Sequence, residues 1–302
     1  MIRHPAAAIA LILMAAAVLA AGPLVLPPFY VRVGQLMLYS AALGVAWAIL
    51  GGFAGYGSFG HAAFIGVGAF TAGLVEERLA GLSAPATLAA GLASGGLACA
   101  ILSAVVAYPI LRLRGAFFAI AMLGVCHVCA ELNNNVDALQ GSLGLNFPAV
   151  APAGWDPAAF FYELYLVAGL VVLLIAWQIR RSRFGAGLLS IREDEDTARM
   201  LGVPTERYKR TALVISAVLT GCLGVIYAHS LGYITTPGLT SAIGQPGDSF
   251  CMACFTGDYP MPVPQELDKL GLETPIWLRE SEHPGSKADT FHQQQAVAPP
   301  AP

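Results

Sequence analysis

The sequence predicts an all-α polytopic membrane protein of about seven transmembrane helices, and three observations predict it. Of its 302 residues 56% are hydrophobic and only 12% charged, with mean hydropathy +0.65; about a quarter of residues are charged in an ordinary soluble domain. Several apolar runs reach the ~20 residues that a bilayer core asks of a helix. Eight of the sixteen Lys and Arg residues fall in one segment, 180–210, between two such runs, as expected of a cytoplasmic loop. A net charge of −3 gives no argument for nucleic acid. Six scattered cysteines do not make a disulfide framework.

Taken in order, residues 6–26 follow Arg3 and His4 and end near Ala20-Ala21-Gly22. Alone this reads as a signal peptide; with more spans behind it, it reads as a retained first helix. Residues 33–50 give the second span. The run Gly51-Gly52-Phe53-Ala54-Gly55-Tyr56-Gly57 breaks the pattern and leads into the third, 58–74, where Gly and Ala recur at close spacing. Small residues let helix backbones approach where lipid supplies no hydrophobic drive, and they also permit broken helices beside a substrate path. Ser58 and His61 are the candidate residues for such a path; in the plainer reading His61 only hydrogen-bonds a neighbouring helix. Glu76, Glu77 and Arg78 end this span. Residues 87–108 form the fourth, 109–115 a short basic turn, and 116–130 the fifth, interrupted at its end by Glu131. Cys126 and Cys129 lie one turn apart there, but a metal or redox role needs further ligands, so they read as small buried hydrophobes.

A stretch without Lys or Arg, 132–157, precedes the sixth span, 158–179; the seventh is 211–233. With the N-terminus inside, the inner loops 51–57, 109–115 and 180–210 hold none, two and eight basic residues, against Arg32 and Arg78 outside. This is the asymmetry of the positive-inside rule, and it places everything after Tyr233 outside. No intramembrane charge stands out as a partner for a ligand's ammonium or carboxylate.

The basic loop carries the strongest functional signal. Residues 191–202 have helical spacing, with Ile191, Ala198, Met200 and Leu201 apolar among charges. Arg183-Phe184-Gly185 is a break before it and Gly202-Val203-Pro204 a stop after it. A short amphipathic helix at a membrane face can lie in the headgroups or dock on a soluble partner. Four consecutive acids, Glu193, Asp194, Glu195 and Asp196, argue against an anionic lipid surface and for a protein.

Three stretches carry a resemblance. "GGFAGYGSFGHAAFIGVGAFTAGL", "LRLRGAFFAIAMLG" and "SRFGAGLLSIREDEDTARMLGVPTERYKRTALVISAVLTGCLGVIYAHSLGYI" resemble the permease subunits of ATP-binding-cassette importers for branched-chain amino acids, with Phe70 where that family usually has Tyr. The resemblance implies a coupling helix that transmits nucleotide-driven motion through Ile191, Glu193, Asp194, Ala198, Leu201 and Gly202. It implies a multi-pass protein of the bacterial inner membrane, in contact with lipid and working with a second permease subunit, cytosolic ATP-binding subunits and an extracytoplasmic substrate-binding protein. ATP chemistry would belong to the partner, because the chain has no GxxxxGK[ST] loop; no enzymatic activity and no cofactor is implied. The family includes urea and short-chain amide carriers.

From about residue 237 the composition changes. "SAIGQPGDSFCMACFTGDYP" is similar to the C-terminus of glutamine phosphoribosylpyrophosphate amidotransferases, in some of which the cysteines matching Cys251 and Cys254 bind an iron–sulfur cluster. Such a cluster needs about four ligands, and the other cysteines lie in predicted spans, so this pair is a vestigial half-site at most. The expectation is a permease domain, 1–236, lacking terminal spans and joined to an irregular tail, 237–302, with transport in doubt for that reason.

Overall fold

The computed structural model describes residues 19–79, 83–136, 144–152 and 154–234. Most of the expected first span (to residue 18) and the whole tail, with Cys251 and Cys254, lie outside the described residues. Those described fall in the first of the two units into which the chain divides, Met1–Phe255.

Six long helices are present: α1 (Pro28–Ala54), α2 (His61–Arg78), α3 (Ala84–Ile110), α4 (Ala116–Asn135), α5 (Pro157–Arg181) and α8 (Thr205–Leu231). Two short ones, α6 (Arg183–Glu193) and α7 (Glu195–Met200), lie between α5 and α8. Five of the helices are long and apolar enough to cross a membrane. The exception is α2, whose 18 residues include Glu76, Glu77 and Arg78. Seven spans are not shown by the described residues, which begin at residue 19 and ahead of α1 include a helical turn, Gly22–Val25, cut off from α1 by Pro27.

Helix ends depart from the sequence expectation where capping outweighs polarity. Ser58 lies in the loop before α2, which begins at His61 and continues through the charges to Arg78. Glu131 does not interrupt α4, because Asn135 one turn on donates to its carbonyl oxygen and carboxylate. α8 begins at Thr205 and takes Lys209 into the helix, while Gly232 in a left-handed conformation (φ 74°) stops it. The chain then turns into a two-residue strand, β2 (Tyr233–Ile234), antiparallel to β1 (Leu145–Asn146) with Leu145 opposite Ile234. This ribbon was not expected in an all-α protein.

α8 is the centre of the bundle and packs on α1, α2 and α3. Its closest approaches are through glycine. A Cβ on Gly68 of α2 would come within 2.6 Å of the Gly221 carbonyl oxygen of α8, and one on Gly95 of α3 within 2.8 Å of the Gly68 oxygen. The small-residue spacing therefore serves backbone-to-backbone packing of three helices, as membrane interiors favour.

Candidate functional site: three loops joined by buried charge

The segment between α5 and α8 folds as two helices, not as one helix over 191–202. Ser182 caps α6, its hydroxyl accepting from the Gly185 amide at 3.1 Å, so Arg183-Phe184-Gly185 is the first turn of a helix, not a break. The break comes at Asp194, which is extended (φ −157°, ψ 116°) and accepts from the amides of Asp196 and Thr197 at 2.8 and 3.3 Å. A short acidic side chain that satisfies its own downstream amides is a standard helix-starting device. Gly202 (φ 83°) ends the pair, as the sequence suggested.

Glu195 then points inward, and four partners surround its carboxylate. Lys209 Nζ donates to Oε1 at 2.8 Å and Arg199 Nη2 at 3.1 Å; the Tyr56 hydroxyl donates to Oε2 at 2.5 Å, with Arg114 Nε 3.6 Å away. Lys209 also donates to the Leu111 carbonyl at 3.2 Å and to the Tyr56 oxygen at 3.3 Å, and its side chain is only 1% exposed. Leu111 is the cap of α3, so its carbonyl is at the negative end of the helix dipole. Arg114 forks onto Asp196 at 2.9 and 3.0 Å. Glu206 lies 3.3 Å from Lys209 and 3.7 Å from Arg199. Three cations meet three anions, which is what permits burial of Lys209 and Glu195.

Titration follows from this geometry. Burial raises the Glu195 carboxyl, but hydrogen bonds from Lys209 and Tyr56 outweigh it and hold the group below the usual carboxylate range. The Arg114 fork lowers Asp196, and the amide and hydroxyl of Thr197 lower Asp194. Burial and the bond to Glu195 raise the Tyr56 phenol.

The cluster joins the α1–α2 loop (Tyr56), the α3–α4 loop (Leu111, Arg114) and the α5–α8 segment, three loops expected to share one side of a membrane. Arg192 adds a fourth tie, donating to the Gly52 carbonyl at 2.9 Å. Of the residues expected to couple motion, Ile191 and Ala198 are buried in the core beneath this cluster, Asp194 is spent on its cap, and Glu193, Leu201 and Gly202 are exposed. Met200 and Leu201 stand out at 87% and 77% exposed. The sequence reading missed Tyr56, Arg114 and Lys209; the one available signal was Lys209 standing fourteen residues beyond Glu195 in the run of acids.

Ser58 and His61 are both buried. Ser216 donates to the Ala46 carbonyl at 2.7 Å, so at 2.7 Å it accepts from His61 Nε2. His61 therefore ties α2 to α8, and through Ser216 to α1. The Trp47 indole donates to the Ser58 carbonyl at 2.8 Å.

Residues 30–246 match the family model described as the branched-chain amino acid transport system / permease component. The high-affinity branched-chain amino acid transport system permease protein LivM of Escherichia coli is 30% identical over 260 residues, 77% of this chain and 60% of its own length. The nucleoside ABC transporter permease protein NupC of Lactococcus lactis is 24% identical over 220 residues, 66% of this chain and 67% of that one. An amidophosphoribosyltransferase of Synechococcus elongatus is 43% identical over 51 residues, 16% of this chain and 10% of the enzyme. The chain thus spans about 60% of the length of the branched-chain permease it matches. No solved structure matches.

Proposed function

This chain belongs to the branched-chain amino acid transport permease family, and we propose that it is a membrane-spanning subunit of an importer for branched-chain or related neutral amino acids, driven by separate ATP-binding subunits. Membership and five apolar helices make it a multi-pass membrane protein; we place it in a bacterial inner membrane with the cluster side cytoplasmic. In this reading the exposed tip of α7 is the docking surface. Met200 and Leu201 are apolar and solvent-facing on a segment clamped to three loops, so a push at the tip moves the loop ends of α1, α2, α3 and α4 together. That is the observation that carries the proposal. Glu193 and Gly202 flank the surface, while Ile191 and Ala198 act from beneath by fixing α6 and α7 to the core. The remaining partners are a second permease subunit, an extracytoplasmic substrate-binding protein and the surrounding lipid.

Ser58 and His61 contribute to the path by setting the α1–α2–α8 contact. A nucleoside cargo is the second reading, favoured by a nucleoside permease relative matched over two thirds of its length.

The test is co-purification with the co-expressed ATP-binding subunits. Met200→Asp with Leu201→Asp abolishes it while the permease stays in the membrane; undiminished recovery would remove the docking assignment.

A further inference from the structure

At the end of α8 opposite the Glu195 cluster lies a second buried pair that the coupling account does not use. His229 Nε2 is 3.1 Å from Glu76 Oε2, and the two side chains are 0% and 1% exposed. The sequence placed Glu76 at the rim of a span; instead it is inside the bundle.

The geometry points to one proton shared by Glu76 and His229, a neutral latch that holds the ends of α2 and α8 together beneath the β-ribbon. His229 Nδ1 is 2.9 Å from the Val225 carbonyl oxygen. A carbonyl only accepts, so Nδ1 carries a hydrogen. Nε2 and Oε2 are then 3.1 Å apart, and neither of them, nor Oε1, has a hydrogen-bond partner among the described residues in this arrangement. Without a hydrogen between them a carboxylate and a bare imidazole nitrogen would present lone pairs to one another out of water, the arrangement that burial penalises most. With one hydrogen the pair is either a carboxylic acid on a neutral imidazole or a carboxylate on an imidazolium. Both are neutral overall and both bind.

The surroundings are shaped for this pair. Gly91 of α3 packs against Glu76 Oε1 so closely that a Cβ there would overlap it. The Phe147 ring meets the imidazole edge-on, 5.1 Å between centroids, and a Cβ on Gly73, nearly one turn before Glu76, would meet that ring at 2.9 Å. Phe147 follows β1, and its amide donates to the Gly232 carbonyl at 2.9 Å. The latch therefore fastens α2, α3, α8 and both strands at one place. Where the coupling reading holds, α8 is fixed at both ends, and motion entering at Glu195 reaches this end as a rigid displacement.

The test uses the full chain in detergent and no transport assay, so it can fail independently of the coupling reading. Nitrogen NMR of the histidine rings, assigned with His229→Gln, and infrared difference spectra of wild type against Glu76→Gln report the proton directly. A protonated carboxyl lost in Glu76→Gln, or a His229 ring protonated on both nitrogens, supports the latch; a carboxylate beside a singly protonated ring overturns it. Glu76→Gln can still donate to Nε2, whereas Glu76→Ala cannot. Amide exchange at Phe147 should accelerate at least about tenfold in Glu76→Ala and stay near wild type in Glu76→Gln, as local opening predicts. Equal exchange in the two variants would also refute the latch, and should Glu76→Ala not fold, the spectra of wild type and Glu76→Gln decide.

Discussion

Replacing Glu195 by leucine should harm this protein more than replacing its partner Lys209 by methionine. Lys209 is 1% exposed. Without the Glu195 carboxylate it keeps only the Leu111 carbonyl, the Tyr56 oxygen and Glu206, a half-exposed acid 3.3 Å away. Removing one partner of a buried pair costs about 3–5 kcal/mol, and the surviving contacts put Glu195→Leu near the lower end, about 3 kcal/mol. The reverse change is milder. Lys209→Met leaves Glu195 with the Tyr56 hydroxyl, Arg199 and Arg114, and both arginines are about half-exposed and free to close in. Loss of one hydrogen bond to a charged group, about 1.5–3 kcal/mol, is the appropriate scale there. The double change removes both buried charges in favour of apolar groups of similar size, which is often nearly neutral, so it should be less destabilising than Glu195→Leu alone. Reversible unfolding in mixed micelles across the four proteins gives the coupling energy. A double variant as unstable as the sum of its singles, or a Lys209→Met costlier than Glu195→Leu, would refute the reasoning.

Two further outcomes follow from the same geometry. Asp194, Glu195 and Asp196 are all held below the usual carboxylate range when folded. As pH falls the unfolded chain therefore takes up protons first, so the stabilisation is present above about pH 4 and lost as pH drops through the lower folded values; unfolding midpoints measured from neutral pH to pH 3 should decline, and a rise would contradict the assignment. Gly68→Ala places a methyl 2.6 Å from the Gly221 backbone oxygen, and since backbone cannot yield as a side-chain tip can, the cost should be about 1–3 kcal/mol, whereas Gly44→Ala, with open space around it, should be close to neutral by the same measurement.

What could be read from the chain alone was decided by long-range averages. Apolar runs about twenty residues long located α1, α3, α5 and α8, though their ends fell up to six residues away, because a bilayer imposes length and composition directly. The clustering of Lys and Arg marked the segment between α5 and α8 for the same reason. Local chemistry was less legible. The acids from Glu193 to Asp196 read as part of one helix over 191–202, but Asp194 accepts from the amides of Asp196 and Thr197 and so divides the segment, after which Glu195 turns inward to Lys209 and Tyr56 while exposed Asp196 takes the Arg114 fork. Such a break depends on a side chain competing with its own backbone, which periodicity does not register. Glu76 was misread likewise: its partner His229 is 153 positions away, and only the close approach permitted by Gly91 makes room for the pair. His61 hydrogen-bonds Ser216, 155 positions away, another partner that local pattern does not reveal.

The most direct test of the coupling account is a photo-cross-linking residue at Leu201, activated in membranes that contain the co-expressed ATP-binding subunits. The account predicts a covalent adduct with an ATP-binding subunit, and none from the same probe at buried Ile191. Adducts to lipid alone from Leu201, with the ATP-binding subunits present and unlabelled, would contradict it.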